Sequence, residues 1–219
     1  MSVMQPLSLE PLHERAYNAL RGALRSGRFR PGEAMTIRGL GKELGISATP
    51  VREALQRLIA AQALQLLPNR TIIVPVLTRG RFEEITKIRV RLEGLAAQEA
   101  AGRMSPADMR VLEDHTSEME TALAERRFND YLSHNERFHF AIYEAADMPY
   151  LRQMIELSWL QTGPWLNMLA SEGRFREIAN SIHDEIIRGL VARDPDATRE
   201  AVQRDILEAA RHLAHFLPE

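Results

Sequence analysis

The chain has 219 residues, 45% of them hydrophobic and 26% charged, the composition of a folded protein with one large or two small domains. It has no cysteine, no apolar run near the roughly 18 residues of a membrane span, and no basic-then-apolar leader in MSVMQPLSLE, so disulfides and thiolate metal sites are excluded, and a chain with no spanning helix, no secretory signal and a cytoplasmic location is expected. The net charge of −2 divides into a basic stretch over residues 1–78, with 10 Lys/Arg against 5 Asp/Glu, and an acidic stretch over 79–219, with 18 against 25, which confines a polyanion partner to the first part.

Leu12, Ala16, Leu20 and Leu24 recur at helical spacing over 10–28, and FRPG at 29–32 ends that helix. Thr36 is the predicted N-cap of a short helix through Leu44, with Gly45 as its C-cap. Thr49 followed by Pro50 predicts the next helix start, and Val51, Ala54, Leu55, Leu58 and Ile59 carry that helix to about residue 62. The period then changes. Residues 63–67 and 71–74 read as two strands around a Pro68-Asn69-Arg70 turn. Three helices and a hairpin are the order of a winged helix-turn-helix.

Beyond a linker at 76–80 no strand is expected. Helices are predicted at about 81–102, 105–126, 130–147, 149–170, 172–192 and 195–217, with clear starts at Ser105-Pro106-x-Asp108 and Asp194-Pro195-Asp196. The expected architecture is therefore mainly α: a winged helix-turn-helix with a β-hairpin wing over 1–75, and an all-α antiparallel bundle over 81–219.

The third helix would present Ser47, Thr49, Arg52 and Gln56, with Arg57 beyond them, from its N-terminal and exposed side, the side that enters a major groove. Arg38 would reach the DNA backbone or a groove edge from the preceding helix, and Asn69 and Arg70 stand at the wing tip. Among the 28 basic residues only Lys42 and Lys87 are lysine. Arginine suits bidentate contacts to guanine and phosphate, although a genome-wide compositional bias accounts for the excess equally well.

These residues sit in a familiar frame. ISATPVREALQRL and RPGEAMTIRGLGKELG resemble the DNA-binding segment of the GntR superfamily of bacterial transcription regulators. IRVRLEGLAAQEAA and NERFHFAIYEAADM resemble the helical ligand-binding domain, FCD, of its FadR subfamily. The likeness spans roughly residues 11–217, and six helices in the second part are similar to the VanR-type branch. The resemblance implies a homodimeric, cytoplasmic, metabolite-responsive regulator of double-stranded operator DNA, most simply a repressor, and not an enzyme. Arg38, Ser47, Thr49 and Arg52 match the family's DNA-contact positions. Two departures stand out. Ala48 occupies a position where the family has arginine, and Thr71 one where it has glycine, so DNA binding to an unusual operator is expected.

Asn135 and His139 are four residues apart on one helical face, and His183 and Asp205 lie in later helices, 22 residues apart. Spacing alone is weak evidence, since a histidine on an amphipathic helix is more often an ordinary core or surface group than a ligand. Many FCD domains hold a divalent metal on an Asp or Asn, a His four residues later and two further His. Asn135, His139 and His183 match, and Asp205 replaces the last His. The implied ligand set is one amide oxygen, two imidazoles and one carboxylate, suited to Zn, Ni, Mn or Fe. His134, His212 and His215 read as surface or interface groups.

Arg89 and Glu93 form an i, i+4 pair, by spacing a surface pair worth little. By resemblance Arg89 faces the ligand cavity, where it would clamp a carboxylate, so a small organic acid is the expected effector. Phe138, Tyr143, Trp159 and Trp165 are candidates for cavity walls or for plain core packing. Two rival readings remain: a metal-dependent enzyme, and a winged-helix protein-interaction adaptor.

Overall fold

A buried stripe of Ala16, Leu20 and Leu24 fixes the first helix, α1 (Leu12–Arg25), against the N-terminal core. Leu12 lies at the helix start, past the edge of that core, and stays exposed. The computed structural model describes residues 10–171 and 173–219. The leader reading of residues 1–9 and the predicted helix start at residue 172 lie outside the described residues.

After α1 come strand β1 (Ala34–Met35) and helices α2 (Ile37–Leu44) and α3 (Ala48–Ala60). The Thr36 side chain caps α2 by accepting from the Gly39 amide at 3.0 Å. Gly45 closes α2 in the left-handed region at φ 67°, a conformation glycine adopts without a Cβ penalty. The start of α3 differs from the expectation. Ser47, not Thr49, is the N-cap, and Pro50 is the third helical residue. Proline is tolerated anywhere in the first turn, because those amides have no helical partner, so Pro50 marks the turn and not the position within it.

Strands β2 (Gln65–Leu66) and β3 (Ile72–Ile73) form the wing. The sheet has a third member the sequence reading lacked: β1 pairs antiparallel with β3, in the order β1-β3-β2, with Met35 and Leu66 both opposite Ile72. Two residues are too few to show alternation. At the wing tip Arg70 takes the left-handed conformation itself, at φ 64°, and Asn69 Oδ1 accepts from the Thr71 amide at 3.0 Å. The turn thus forms without the glycine that Thr71 replaces.

Thr78 caps α4 (Arg79–Ala101), which begins inside the stretch predicted as linker. The bundle continues with α5 (Pro106–Ala124), α6 (Phe128–Ala145), α7 (Pro149–Leu166), a 3-10 turn at Asn167–Ser171, α8 (Gly173–Val191), α9 (Pro195–Leu213) and a 3-10 turn at Ala214–Phe216. Ser105 and Asp108 cap α5 reciprocally, and Asp194 caps α9 through the amides of Asp196 and Ala197. The central helix is α4, packed on α6, α7 and α9. Its buried face runs Phe82, Ile85, Thr86, Arg89, Glu93, Ala96, Ala97 and Ala100, which places an ion pair in the middle of an otherwise apolar stripe.

The two parts of the chain touch directly. Leu160 of α7 belongs to the N-terminal hydrophobic cluster. Gly163 lies so close under the end of α1 that an added Cβ would sit 2.6 Å from the carbonyl oxygens of Leu24 and Arg25.

Candidate DNA-reading face and metal centre

The sequence of α3 sorts its own faces. Val51, Ala54, Leu55 and Leu58 are buried against α1, which turns Ser47, Thr49, Arg52 and Gln56 to the exposed side. Arg38 on α2 and Asn69 and Arg70 on the wing are exposed as well. Arg57 is engaged elsewhere: its guanidinium bonds Glu14 at 2.6 Å and lies 3.8 Å from the centroid of the Tyr17 ring, so it ties α3 to α1.

The second site forms where α6, α8 and α9 meet. His139 Nε2 is 3.2 Å from Asp205 Oδ2, and His183 Nε2 is 3.7 Å from Asp205 Oδ1. One donor atom from each of the three lies within 4.8 Å of the others. His139 and His183 are buried and Asp205 is partly buried. Burial pushes the His183 pKa down to about 4, against the pull of Asp205, so the imidazole is neutral near pH 7. Both its ring nitrogens are buried without a hydrogen-bond partner among the described residues. Such an orphaned polar group is costly unless something ligates it. Burial acts to raise the Asp205 pKa, but the hydrogen bond and charge of His139, with His183 and Arg89, outweigh it and hold the carboxyl below its ordinary value.

Asn135 lines the same small cavity, with Arg89, Tyr131, His139, Trp159 and Asp205. Its volume of about 30 Å³ admits an ion or about two waters. The donor set fits a divalent cation: two imidazoles and a carboxylate grouped together, an amide side chain lining the adjoining cavity, and two imidazole nitrogens without a hydrogen-bond partner among the described residues.

Beside this cavity the Arg89–Glu93 pair is buried, contrary to a surface reading of its spacing. Glu93 is fully buried, and its carboxylate takes four bonds: Arg89 Nε at 2.6 Å, Arg89 Nη2 at 3.2 Å, Tyr143 Oη at 2.6 Å and Trp159 Nε1 at 2.9 Å. Arg89 Nη1 also donates to Thr162 Oγ1 at 3.2 Å, and the guanidinium lies 4.7 Å from the Trp159 ring centroid. Burial works against the charge on Arg89, but Glu93 overcomes it and raises the pKa. Burial, then Glu93, drives the Tyr143 pKa well above its usual value, so the phenol stays a donor. Glu93 is the functional residue whose part the sequence reading missed, since a helical i, i+4 pair gives no hint of which side it faces.

The aromatic candidates separate. Of the four only Trp159 lines the cavity, and its ring is 5.7 Å from His139. Phe138 packs at a tilt against His183 with 4.8 Å between ring centroids, Tyr143 is held by Glu93, and Trp165 packs edge-on against Phe82. His134 meets His115 of α5, Nδ1 to Nδ1 at 3.3 Å. His212 lies beside Glu208, and His215 is exposed.

Residues 12–74 match the family described as bacterial regulatory proteins, gntR family, and residues 84–208 match the FCD domain. The chain is 31% identical over 188 residues to the HTH-type transcriptional regulator McbR of Escherichia coli K12, covering 84% of this chain and 85% of McbR. It belongs to the GntR family of bacterial regulators, with an FCD domain. The solved structure of E. coli McbR/YncC superimposes with a TM-score of 0.88 at 28% identity, over 95% of this chain and 99% of that one. The HTH-type transcriptional repressor RspR of E. coli K12 is similar at 22% identity over 220 residues, 96% of this chain and 92% of RspR. As a GntR-family member with an FCD domain, the protein is a DNA-binding transcription regulator of the metabolite-responsive type and not an enzyme. No helix among its described residues is long and apolar enough to cross a membrane.

Replacing Glu93 by Ala strands the buried Arg89 charge and leaves the Tyr143 and Trp159 donors unpaired. A loss of about 3–5 kcal/mol in unfolding free energy is expected, measured by denaturant unfolding. A loss under about 1 kcal/mol contradicts the hub role.

Proposed function

We propose that the protein is a homodimeric cytoplasmic repressor whose FCD domain holds a divalent metal ion and responds to a small organic acid. The observation that carries the reading is the convergence of His139, His183 and Asp205 beside a cavity that His139, Asp205 and Arg89 line, with both His183 nitrogens without a hydrogen-bond partner among the described residues. His139, His183, Asp205 and the Asn135 amide would hold the ion, which supplies a positive centre for a carboxylate or hydroxyl group. Arg89 lines the cavity with its charge already shared with Glu93, so it would meet an acid only by giving up part of that pairing. The cavity is far smaller than the roughly 300 Å³ or more of ordinary ligand pockets, so an acid enters only if the walls part.

On the DNA side, Arg52, Gln56, Ser47 and Thr49 read base edges and phosphates, Arg38 supports them, and Asn69 and Arg70 place the wing. Two heads on a two-fold axis require a symmetric operator. Pairing of two copies is supported by Ile88 and Leu95, exposed two turns apart on α4. Repression is favoured by the likeness to RspR.

Selection from randomised duplexes should yield an enriched, two-fold-symmetric motif. Arg52→Ala should then weaken the selected duplex by about 10- to 100-fold in an anisotropy titration. No enriched motif, or an unchanged affinity, removes this reading of α3. Plasma mass spectrometry should find about one transition metal per chain in the wild type and none in His139→Ala. A metal-free wild type removes the metal centre.

A further inference from the structure

Two helices of the FCD domain each carry two jobs, set one residue apart. On α7, Trp159, Thr162 and Leu166 face the cavity and its Arg89–Glu93 pair. The residues that follow them touch the DNA-binding part instead: Leu160 lies in its hydrophobic cluster, Gly163 lies under the Leu24 and Arg25 carbonyls, and Asn167 Nδ2 donates to the Gly27 carbonyl at 2.8 Å. Glu156 extends this stripe by one turn, 3.0 Å from Arg21 Nη1 and 3.3 Å from Arg25 Nη1. On α6 the offset repeats. Asn135 and His139 line the cavity, while Glu136 lies 2.7 Å from Arg25 Nη2 and the Phe140 ring centroid is 4.2 Å from the Arg25 guanidinium.

The two stripes are joined by aromatic rings. Phe140 meets Trp159 edge-on at 5.5 Å, and Trp159 carries Arg89 on its other contact. Arg25, Phe140, Trp159 and Arg89 thus form an unbroken series from the end of α1 to the cavity wall. At its other side α1 shares one core with α3 and holds Arg57 through Glu14 and Tyr17.

We propose that α1 is the transmitting strut of the regulator: a change at the His139–His183–Asp205 cluster moves α6 and α7, and Arg25 carries that movement within the same chain to α3. The proposal rests on the metal-centre reading above. The donor atoms of His139, His183 and Asp205 are spread over as much as 4.8 Å, so ligation of one ion at about 2.0–2.2 Å would draw them together, and His139 stands on α6, one of the helices that seat α1. The seam is also one that moderate energy can reset. Arg21 and Arg25 face Glu136 and Glu156, yet Arg21 Nε, Arg25 Nε, Glu136 Oε1 and Glu156 Oε1 are buried without aligned hydrogen bonds among the described residues. Buried charges in imperfect geometry recover little of their desolvation cost, so this contact positions the head without locking it.

The test uses the full chain, stripped by a chelator, with Zn²⁺ as the probe and a duplex selected by the wild type from a random pool. Zn²⁺ should change the wild-type duplex dissociation constant by about fivefold or more, and the duplex should change Zn²⁺ affinity by the same factor. In Arg25→Ala, and in the milder Phe140→Leu and Glu156→Gln, that factor should fall below about twofold, while Zn²⁺ affinity without DNA stays at the wild-type value. A factor undiminished in all three variants overturns the proposal and assigns transmission to the linker or the dimer. A wild type that binds Zn²⁺ with no effect on duplex affinity also overturns it. A wild type that binds no Zn²⁺ fails earlier, at the metal-centre reading, and takes the proposal with it.

Discussion

A fully buried carboxylate has to be answered, and the structure around the cavity is arranged to answer Glu93. One carboxylate draws Arg89 from its own helix, Tyr143 from α6 and Trp159 from α7. Each donor is fixed in place because leaving it unmade costs more than making it gains. Three helices are therefore pinned at one point, and that point lies against the cavity. The Tyr143 hydroxyl, held by Glu93 at 2.6 Å, is also 3.4 Å from His139 Nδ1. The carboxylate thus reaches a candidate ligand through one intervening group, the arrangement that orients metal-binding histidines.

The same helices carry the proposed coupling between the two domains. A helix advances about 100° per residue, so neighbouring residues serve neighbouring surfaces. On α6 and α7 the surface next to the cavity is the one that seats α1. A short path then runs from cavity to recognition helix without leaving the chain. Packed elements of this kind shift as units between discrete arrangements, and in the dimer proposed above the spacing of the two reading heads on DNA would follow such shifts.

Much of this was legible in the sequence where local chemistry is decisive. Thr36, Gly45, Ser105 with Asp108, and Asp194 marked helix ends correctly because capping depends on a few adjacent residues. Asn135, His139, His183 and Asp205 were placed together by their likeness to a family pattern, and the last three do converge. What stayed hidden depended on tertiary context. Arg89 and Glu93 have the spacing of a surface pair, and only the packing of α4 reveals them as buried. Strand β1 is two residues long and exists through its pairing with β3. Trp165 shares α7 with Trp159 but turns to Phe82, and Glu136 and Glu156 look like solvated charges until α1 is docked on them.

The central claim is that His139 and His183 are joint ligands of one cation in the FCD domain. The most direct measurement is the X-ray absorption spectrum of the metal-loaded protein at the metal edge. The account predicts a shell of nitrogen and oxygen only, near 2.0–2.2 Å, with outer-shell scattering from two imidazoles, falling to one in His183→Ala. A shell without imidazole scattering, or one unchanged by His183→Ala, would contradict it.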